Sequence, residues 1–105
     1  MICANDCEFE EKYRDEDCDY TVAYFTYPKA AGDELFEECG FEIPDETVSY
    51  CVSISVYGGN DVCVCVSPTV AESEYVFSDV DWHDLFEGAH YDSSTLDALL
   101  EKADM

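Results

Sequence analysis

The residues from Val48 to Val66, which read VSYCVSISVYGGNDVCVCV, constrain the fold more than any other part of the chain. Apolar and small polar side chains alternate on both sides of Gly58-Gly59-Asn60. A period of two is typical of strands that bury one face, and glycine and asparagine tolerate the positive φ of a tight turn. The segment therefore predicts an antiparallel β-hairpin.

The register of this hairpin can be predicted as well. A two-residue loop, Gly59-Asn60, would pair Tyr57 with Val62 and set serines opposite valines. A three-residue loop that includes Gly58 keeps the valines together, and burial of one face selects it because a one-residue slip moves every side chain to the other face. The pairs expected are Val56 with Val62, Ile54 with Val64, and Val52 with Val66. The opposite face is lined by serine and cysteine, and it can accept a closely packed helix or remain partly hydrated.

A strand and a helix are predicted before the hairpin. The segment YTVAYFTY, Tyr20 to Tyr27, is rich in aromatic and β-branched residues and predicts a strand that Pro28 ends. A helix is predicted to follow, with Asp33 as its N-cap and Gly40 at its C-terminus. Its buried stripe is expected to be Leu35, Phe36 and Cys39. Since a helix joins this strand to the hairpin, a parallel, right-handed crossover is favoured between them.

The remaining segments complete an α+β fold. Residues 1–19 are expected to form an acidic arm or a short helix, and Pro68 is expected to close the second hairpin strand. A strand is predicted over 73–78, and a short helix over 79–87, capped by Asp79 or Asp81. A last helix, Thr95 to Ala103, has Ser93 or Ser94 as its predicted cap. The sequence thus predicts one domain, 1–105, with a hairpin-centred antiparallel sheet of three to four strands and two to three short helices.

Charge limits the possible partners. The chain has 26 acidic and four basic residues, a net charge of −22. Self-repulsion at this density destabilises a compact state. Repulsion between the acidic protein and other polyanions excludes binding to nucleic acid or to anionic membranes, so a basic partner is predicted. No apolar run is long enough to span a membrane, and the acidic N-terminus does not resemble a secretory signal. We therefore expect a cytoplasmic protein.

Seven cysteines raise the question of metal or disulfide chemistry. Their odd number and the missing export signal argue against a disulfide framework, and they are interpreted as small buried hydrophobes. Cys63 and Cys65 share one strand face near Cys51, but His83 and His90 are the only histidines available as further ligands. We predict core packing here, with no metal and no cofactor. No catalytic motif is present, so the chain is not expected to be an enzyme.

Carboxylates on ordered elements are the best candidates for partner contacts, because groups already held in a fixed geometry lose less entropy on binding. The candidates are Asp33, Glu34, Glu37, Glu38, Asp79, Asp81, Asp84 and Glu87.

In size, charge and lack of catalytic motifs, the chain resembles the small phage-encoded DNA mimics, the anti-CRISPR and anti-restriction proteins. The resemblance includes no sequence motif, so no residue role is carried over. It implies steric and electrostatic inhibition of a DNA-binding defence complex in the bacterial cytoplasm. The first choice is a CRISPR-Cas effector blocked at its target-DNA or PAM-reading surface, and the second is a restriction complex. Two alternatives stay open: an antitoxin-like neutraliser of a basic protein, and a halophile-adapted domain whose acidity only maintains solubility.

Overall fold

The computed structural model describes residues 1–58, 61–70 and 83–105. In these ranges the chain forms a five-stranded antiparallel sheet and two helices, with the strands in chain order. The strands are β1 (Glu8–Asp15), β2 (Tyr20–Tyr27), β3 (Thr47–Tyr57), β4 (Asp61–Val70) and β5 (His83–Leu85), and the helices are α1 (Lys29–Cys39) and α2 (Ser93–Lys102). The α+β class is confirmed, and the sheet has more strands than the three to four predicted.

The predicted hairpin register is confirmed. Val56 pairs with Val62, Ile54 with Val64, and Val52 with Val66 in the β3–β4 ladder. Gly58 has a φ of 60°, which suits a residue without a Cβ. Val52, Ile54, Val64 and Val66 are at most 1% exposed, so burial of this face is what fixes the pairing.

The connection between β2 and β3 differs from the prediction. The bounds of β2 are as predicted, but β2 and β3 pair antiparallel, with Tyr27 opposite Tyr50. Helix α1 and the loop over 40–46 therefore return the chain to the end of the sheet that it left. A crossover to a parallel strand would need to carry the chain to the other end.

Both helices pack on the same face of the sheet. Leu35 and Phe36 of α1 and Leu99 of α2 lie in one core cluster with the buried hairpin residues. Tyr50 is fully buried beside α1, and its ring meets that of Phe36 edge-on at 4.9 Å. A Cβ on Gly32 would overlap this tyrosine ring, so glycine is required where the helix backbone crosses Tyr50.

The prediction of an acidic arm or a short helix over residues 1–19 is wrong. A 3₁₀ turn, Ala4–Asp6, leads into β1, which pairs with β2 at one edge of the sheet. Seven of the eight residues of β1 are exposed, with the eighth half-buried. Pairing with β2 makes this polar segment a strand, and its charged side chains suit an edge position because they discourage pairing with another chain.

Three C-terminal predictions need correction. His83–Leu85 is a strand paired with β4 and not the end of a helix over 79–87, while the predicted strand over 73–78 and the proposed caps Asp79 and Asp81 lie outside the described residues. Strand β4 does not end at Pro68 as predicted but continues to Val70. Pro68 pairs with Tyr50 of β3, and no described strand pairs with it on the other side, so the missing N–H is tolerated. The cap of α2 is Asp92, whose Oδ1 accepts the Thr95 N–H at 2.8 Å, and not Ser93 or Ser94.

Lys102 of α2 binds the N-terminal residues of the chain. The Lys102 ammonium donates to the backbone oxygens of Ala4 at 2.6 Å and Cys7 at 2.8 Å. Nearby, the Ile2 N–H donates to the His90 oxygen at 2.7 Å. None of the helices in the described ranges has the length and apolarity required to cross a membrane.

Candidate partner-binding surface

The outer side of α1 carries three exposed carboxylates, in the positions that the sequence predicts. Glu34, Glu37 and Glu38 are exposed, whereas Leu35 and Phe36 on the inner side are buried. Residues three and four apart are neighbours on a helix surface, so these side chains form one compact group of like charges.

The loop after α1 continues this acidic surface. Glu42, Asp45 and Glu46 are exposed and follow the helix directly. We call the whole set the acidic ridge: Glu34, Glu37, Glu38, Glu42, Asp45 and Glu46. Sequence reasoning left the last three out of the candidate contacts because they lie in a loop.

Packing holds the start of this loop in place. Gly40 has a φ of 75°, and the Phe41 N–H donates to the Phe36 oxygen at 3.0 Å, which is a Schellman closure of the helix. The Phe41 ring stacks on His83 of β5, with centroids 3.9 Å apart and planes at 15°. An apolar residue after the glycine that ends a helix is the sequence signal that could have predicted an ordered loop start.

The ridge destabilises the helix that carries it. Helix α1 has no acidic residue in its first turn and no basic residue in its last. Glu37 and Glu38 lie in the last turn, where the helix dipole disfavours negative charge by about 0.3–1 kcal/mol per residue. Like charges at these spacings add a further cost of about 0.2–0.5 kcal/mol per pair. The arrangement therefore opposes helix stability, which suggests selection for another property.

We expect Glu37→Gln to stabilise the protein. The change removes a charge from the unfavourable end of α1 and its repulsion with Glu34, so the free energy of unfolding should rise by about 0.5–1 kcal/mol at low salt. Urea denaturation at low and at molar salt measures this, and screening should reduce the gain at high salt. Glu8→Gln on β1 is the control. A loss of stability in Glu37→Gln would show that this carboxylate has a stabilising structural role.

Asp33 lies inside α1 and is not its N-cap, since the helix begins at Lys29 after Pro28. Its carboxylate accepts from Lys29 Nζ at 2.6 Å and from the Tyr50 hydroxyl at 2.6 Å. These two hydrogen bonds, that from Lys29 foremost, hold the pKa of Asp33 below its usual value. Burial, and then the hydrogen bond to Asp33, raise the pKa of Tyr50. Asp33 therefore ties α1 to β3 rather than projecting toward a partner.

A second acidic surface lies on the sheet face opposite the helices. The β1–β2 and β2–β3 registers place acidic residues and tyrosines together there, and the Tyr20 and Tyr57 rings lie 4.7 Å apart. We call this set the tyrosine face: Glu8, Glu11, Tyr13, Asp15, Tyr20, Tyr24, Tyr57 and Asp61. Lys12 and Arg14 pair with Ala23 and Thr21 and therefore point to the helix side.

Few carboxylates are neutralised by cations. Within the described ranges three ion pairs occur: the N-terminal ammonium with Glu38 at 3.2 Å, Arg14 with Asp19 at 3.1 Å, and Lys29 with Asp33 at 2.6 Å. Lys12 instead donates to the backbone oxygen of Asp104 at 3.0 Å, and Lys102 binds two carbonyls near the N-terminus. Apart from the contact of Glu38 with the N-terminus, the ridge carboxylates have no ion pair in this part of the chain.

Of the other predicted contact residues, Asp84 lies on the opposite side of the sheet from α1. Asp84 pairs with Cys65 across the β4–β5 ladder, and its side chain lies on the sheet face away from the helices. Glu87 is exposed and forms an isolated bridge with Tyr91. Asp79 and Asp81 lie outside the described residues. Their roles in partner binding remain predictions, as do those of the α1 carboxylates.

All seven cysteines have free thiols. Cys51 lies opposite Ser67 and not beside Cys63 and Cys65, which face Ser55 and Ser53. Burial raises the pKa of Cys7 to about 12 and that of Cys51 to about 12, so both are neutral packing residues at physiological pH. Cys63 and Cys65 are only half-buried and converge on Asp84.

Comparison with known proteins adds no relative. No protein-family model matches the chain, and neither the curated proteins nor the solved structures give a significant match.

Proposed function

We propose that this protein is a DNA mimic that inhibits a DNA-binding defence complex by occupying its basic DNA-binding groove. The observation that carries the proposal is the acidic ridge, whose exposed carboxylates have almost no cations beside them in the described ranges. The members on α1 also oppose the stability of that helix. A surface of this kind gains most when a basic partner supplies the missing counter-charges.

The charge density of the ridge is close to that of DNA. Glu34 to Glu38 spans about 6 Å of helix axis at 1.5 Å per residue, and three carboxylates lie within it. Duplex DNA carries one charge per about 1.7 Å of axis. The molecule measures 37 × 30 × 20 Å, so it is small enough to act as a plug in a groove built for a duplex.

Basic residues of the target would form the contacts. Arginine binds carboxylate in a bidentate geometry similar to the one it uses for phosphate and for guanine. Rigid placement of the ridge, through the Phe41–His83 stack and the Gly40 cap, reduces the entropy lost on binding. A CRISPR-Cas effector blocked at its target-DNA or PAM-reading surface is our first candidate, and a restriction complex is the second.

Competition with DNA tests the proposal. Purified CRISPR effectors and restriction complexes are given labelled target DNA at physiological salt, with and without the protein. We expect one complex to lose DNA binding at a stoichiometric amount of protein, and excess DNA to reverse the loss. Binding to a basic protein that excess DNA does not reverse would replace the mimic with a neutraliser of another surface.

The binding should depend strongly on salt. If about six ridge carboxylates replace phosphates, counterion release lowers the affinity by roughly 10³-fold between 50 and 200 mM salt. Isothermal titration at several salt concentrations measures the slope. Circular dichroism of the free protein is the control, since a folded state at low salt excludes unfolding as the cause. An affinity that does not change with salt would contradict the proposal, and unfolding at low salt with rescue in molar KCl would favour halophilic adaptation.

A further inference from the structure

Two thiols and one carboxylate converge on the sheet face opposite the helices. The Sγ atoms of Cys63 and Cys65 are 3.4 Å apart. Cys65 Sγ donates to Asp84 Oδ1 at 2.8 Å, and Cys63 Sγ lies 3.4 Å from the same oxygen. All three ligand atoms therefore lie within 4.8 Å of one another.

The strand register explains this convergence. Cys63 and Cys65 are two residues apart on β4, so their side chains leave the sheet on the same side. Asp84 is the residue of β5 that pairs with Cys65. The three groups are thus fixed by the backbone ladder of two adjacent strands and do not depend on a flexible loop.

We propose that Cys63, Cys65 and Asp84 form a binding site for a thiophilic divalent cation, zinc in the first instance. Thiolate sulfur and carboxylate oxygen are both zinc ligands, and three protein ligands leave a fourth tetrahedral position for water or for a partner's side chain. This inference is independent of the proposed function and does not require it.

The distances suit a tetrahedral ion after a small adjustment. Zn–S bonds of about 2.3 Å and Zn–O bonds of about 2.0 Å imply about 3.8 Å between two sulfurs and about 3.5 Å between sulfur and oxygen. The thiol pair is at 3.4 Å, and the two sulfur–oxygen distances are 3.4 and 2.8 Å. Each pair needs to open by less than about 1 Å, which side-chain torsions of cysteine and aspartate allow.

Zinc binding would replace two protons. Each thiol loses its proton to solvent as its sulfur bonds to the metal, while hydrogen bonds from Cys65 and then Cys63 already favour the ionised form of Asp84. Because one divalent cation enters and two protons leave, the net charge of the protein stays at its apo value. A bound ion would therefore link β4 to the three-residue strand β5 without reducing the negative charge of the surface.

Zinc titration of the reduced, full-length protein in excess Mg²⁺ tests the proposal. Magnesium occupies surface carboxylates but not thiolates, because it prefers oxygen ligands. We expect one zinc per chain, two protons released per zinc at neutral pH, and Co²⁺ absorption bands of tetrahedral intensity. The unfolding temperature should also rise with zinc.

Matched variants separate this site from adventitious binding. Cys63→Ser/Cys65→Ser should abolish the magnesium-resistant zinc and the Co²⁺ bands, whereas Cys3→Ser/Cys18→Ser, which changes two exposed thiols elsewhere, should keep both. Asp84→Asn should weaken zinc binding by more than about tenfold. Mutation of residues that only hydrogen-bond to the metal ligands already lowers metal affinity by about 10–100-fold, and Asp84 is proposed as a ligand itself. Equal zinc binding by the Cys63→Ser/Cys65→Ser protein, or displacement of the zinc by magnesium, would overturn the proposal.

Discussion

Replacement of Glu34, Glu37 and Glu38 together by lysine is expected to weaken partner binding by about 10²-fold or more. Each reversal exchanges an attraction worth up to about 1 kcal/mol for a repulsion of similar size, and every 1.4 kcal/mol is tenfold in affinity. The experiment compares the concentration of protein that displaces half of the labelled DNA from the target complex. Folding is not expected to suffer, because these side chains are exposed and the helix dipole favours cations at positions 37 and 38 in the last turn. The change at Glu38 removes only its exposed ion pair with the N-terminal ammonium.

A matched triple on the other side of the sheet provides the control. Glu8, Glu11 and Asp61 are exposed on the tyrosine face, and their change to lysine alters the net charge equally, from −22 to −16 because each reversal adds two units. We expect this variant to keep most of the inhibition. An equal loss in both triples would mean that total charge matters more than a defined ridge, and no loss in the α1 triple would remove α1 from the contact surface.

Gly32→Ala is expected to destabilise the protein by about 1–3 kcal/mol, the range for overpacking a filled core. Helix propensity alone predicts the opposite, since alanine is about 1 kcal/mol better than glycine inside a helix. Packing outweighs propensity here, so the free energy of unfolding should fall. The added methyl would overlap the Tyr50 ring, which is fully buried and held by Phe36 and Asp33. Thermal and urea denaturation measure the change.

A second substitution verifies the cause of this loss. In a Tyr50→Leu background the ring is absent, so Gly32→Ala should cost much less, and the difference between the two backgrounds is the coupling energy. Glu34→Ala serves as the reference, because this exposed position of the same helix shows the effect of alanine on stability where no overlap occurs. A stabilising Gly32→Ala in the natural background would contradict the close approach of α1 to Tyr50.

The central hairpin was predictable because two independent constraints agree there. The alternation of Val52 to Val66 demands one buried face, and a turn at Gly58 allows only one register that provides it. The bounds of β2 and the helix end at Gly40 were predictable for a similar reason, since Pro28 and Gly40 have strong backbone preferences.

The errors occur where pairing with a neighbour overrides a weak local pattern. Strand β1 reads EFEEKYRD. Both faces of an edge strand can be polar, so its sequence lacks the apolar alternation that predicts a strand. The pattern over 79–87 favoured a helix, yet His83–Leu85 within it pairs with β4. The helix starts were predicted with less accuracy: the cap of α2 is Asp92, next to the predicted Ser93, whereas α1 has Pro28 as its N-cap, well before the predicted Asp33.

The candidate surface was partly predictable. The outward position of Glu34, Glu37 and Glu38 follows from helical spacing alone, because Leu35 and Phe36 determine which side is buried. The engagement of Asp33 with Tyr50 could not be predicted, since it depends on how α1 lies over β3. The convergence of Asp84 on Cys63 and Cys65 depends on the register between β4 and β5, which no turn signal in the sequence specified.

The strands lie in the sheet in the order in which they are synthesised. Each described strand therefore pairs with the strand next to it in the sequence, so none of these pairings requires a distant part of the described chain. Folding rates rise as contacting residues lie closer in sequence, so we expect the sheet to assemble by successive addition to the β3–β4 hairpin. For the proposed inhibitor of a defence complex, which has to act before that complex reaches its target, a topology of this kind shortens the interval between synthesis and activity.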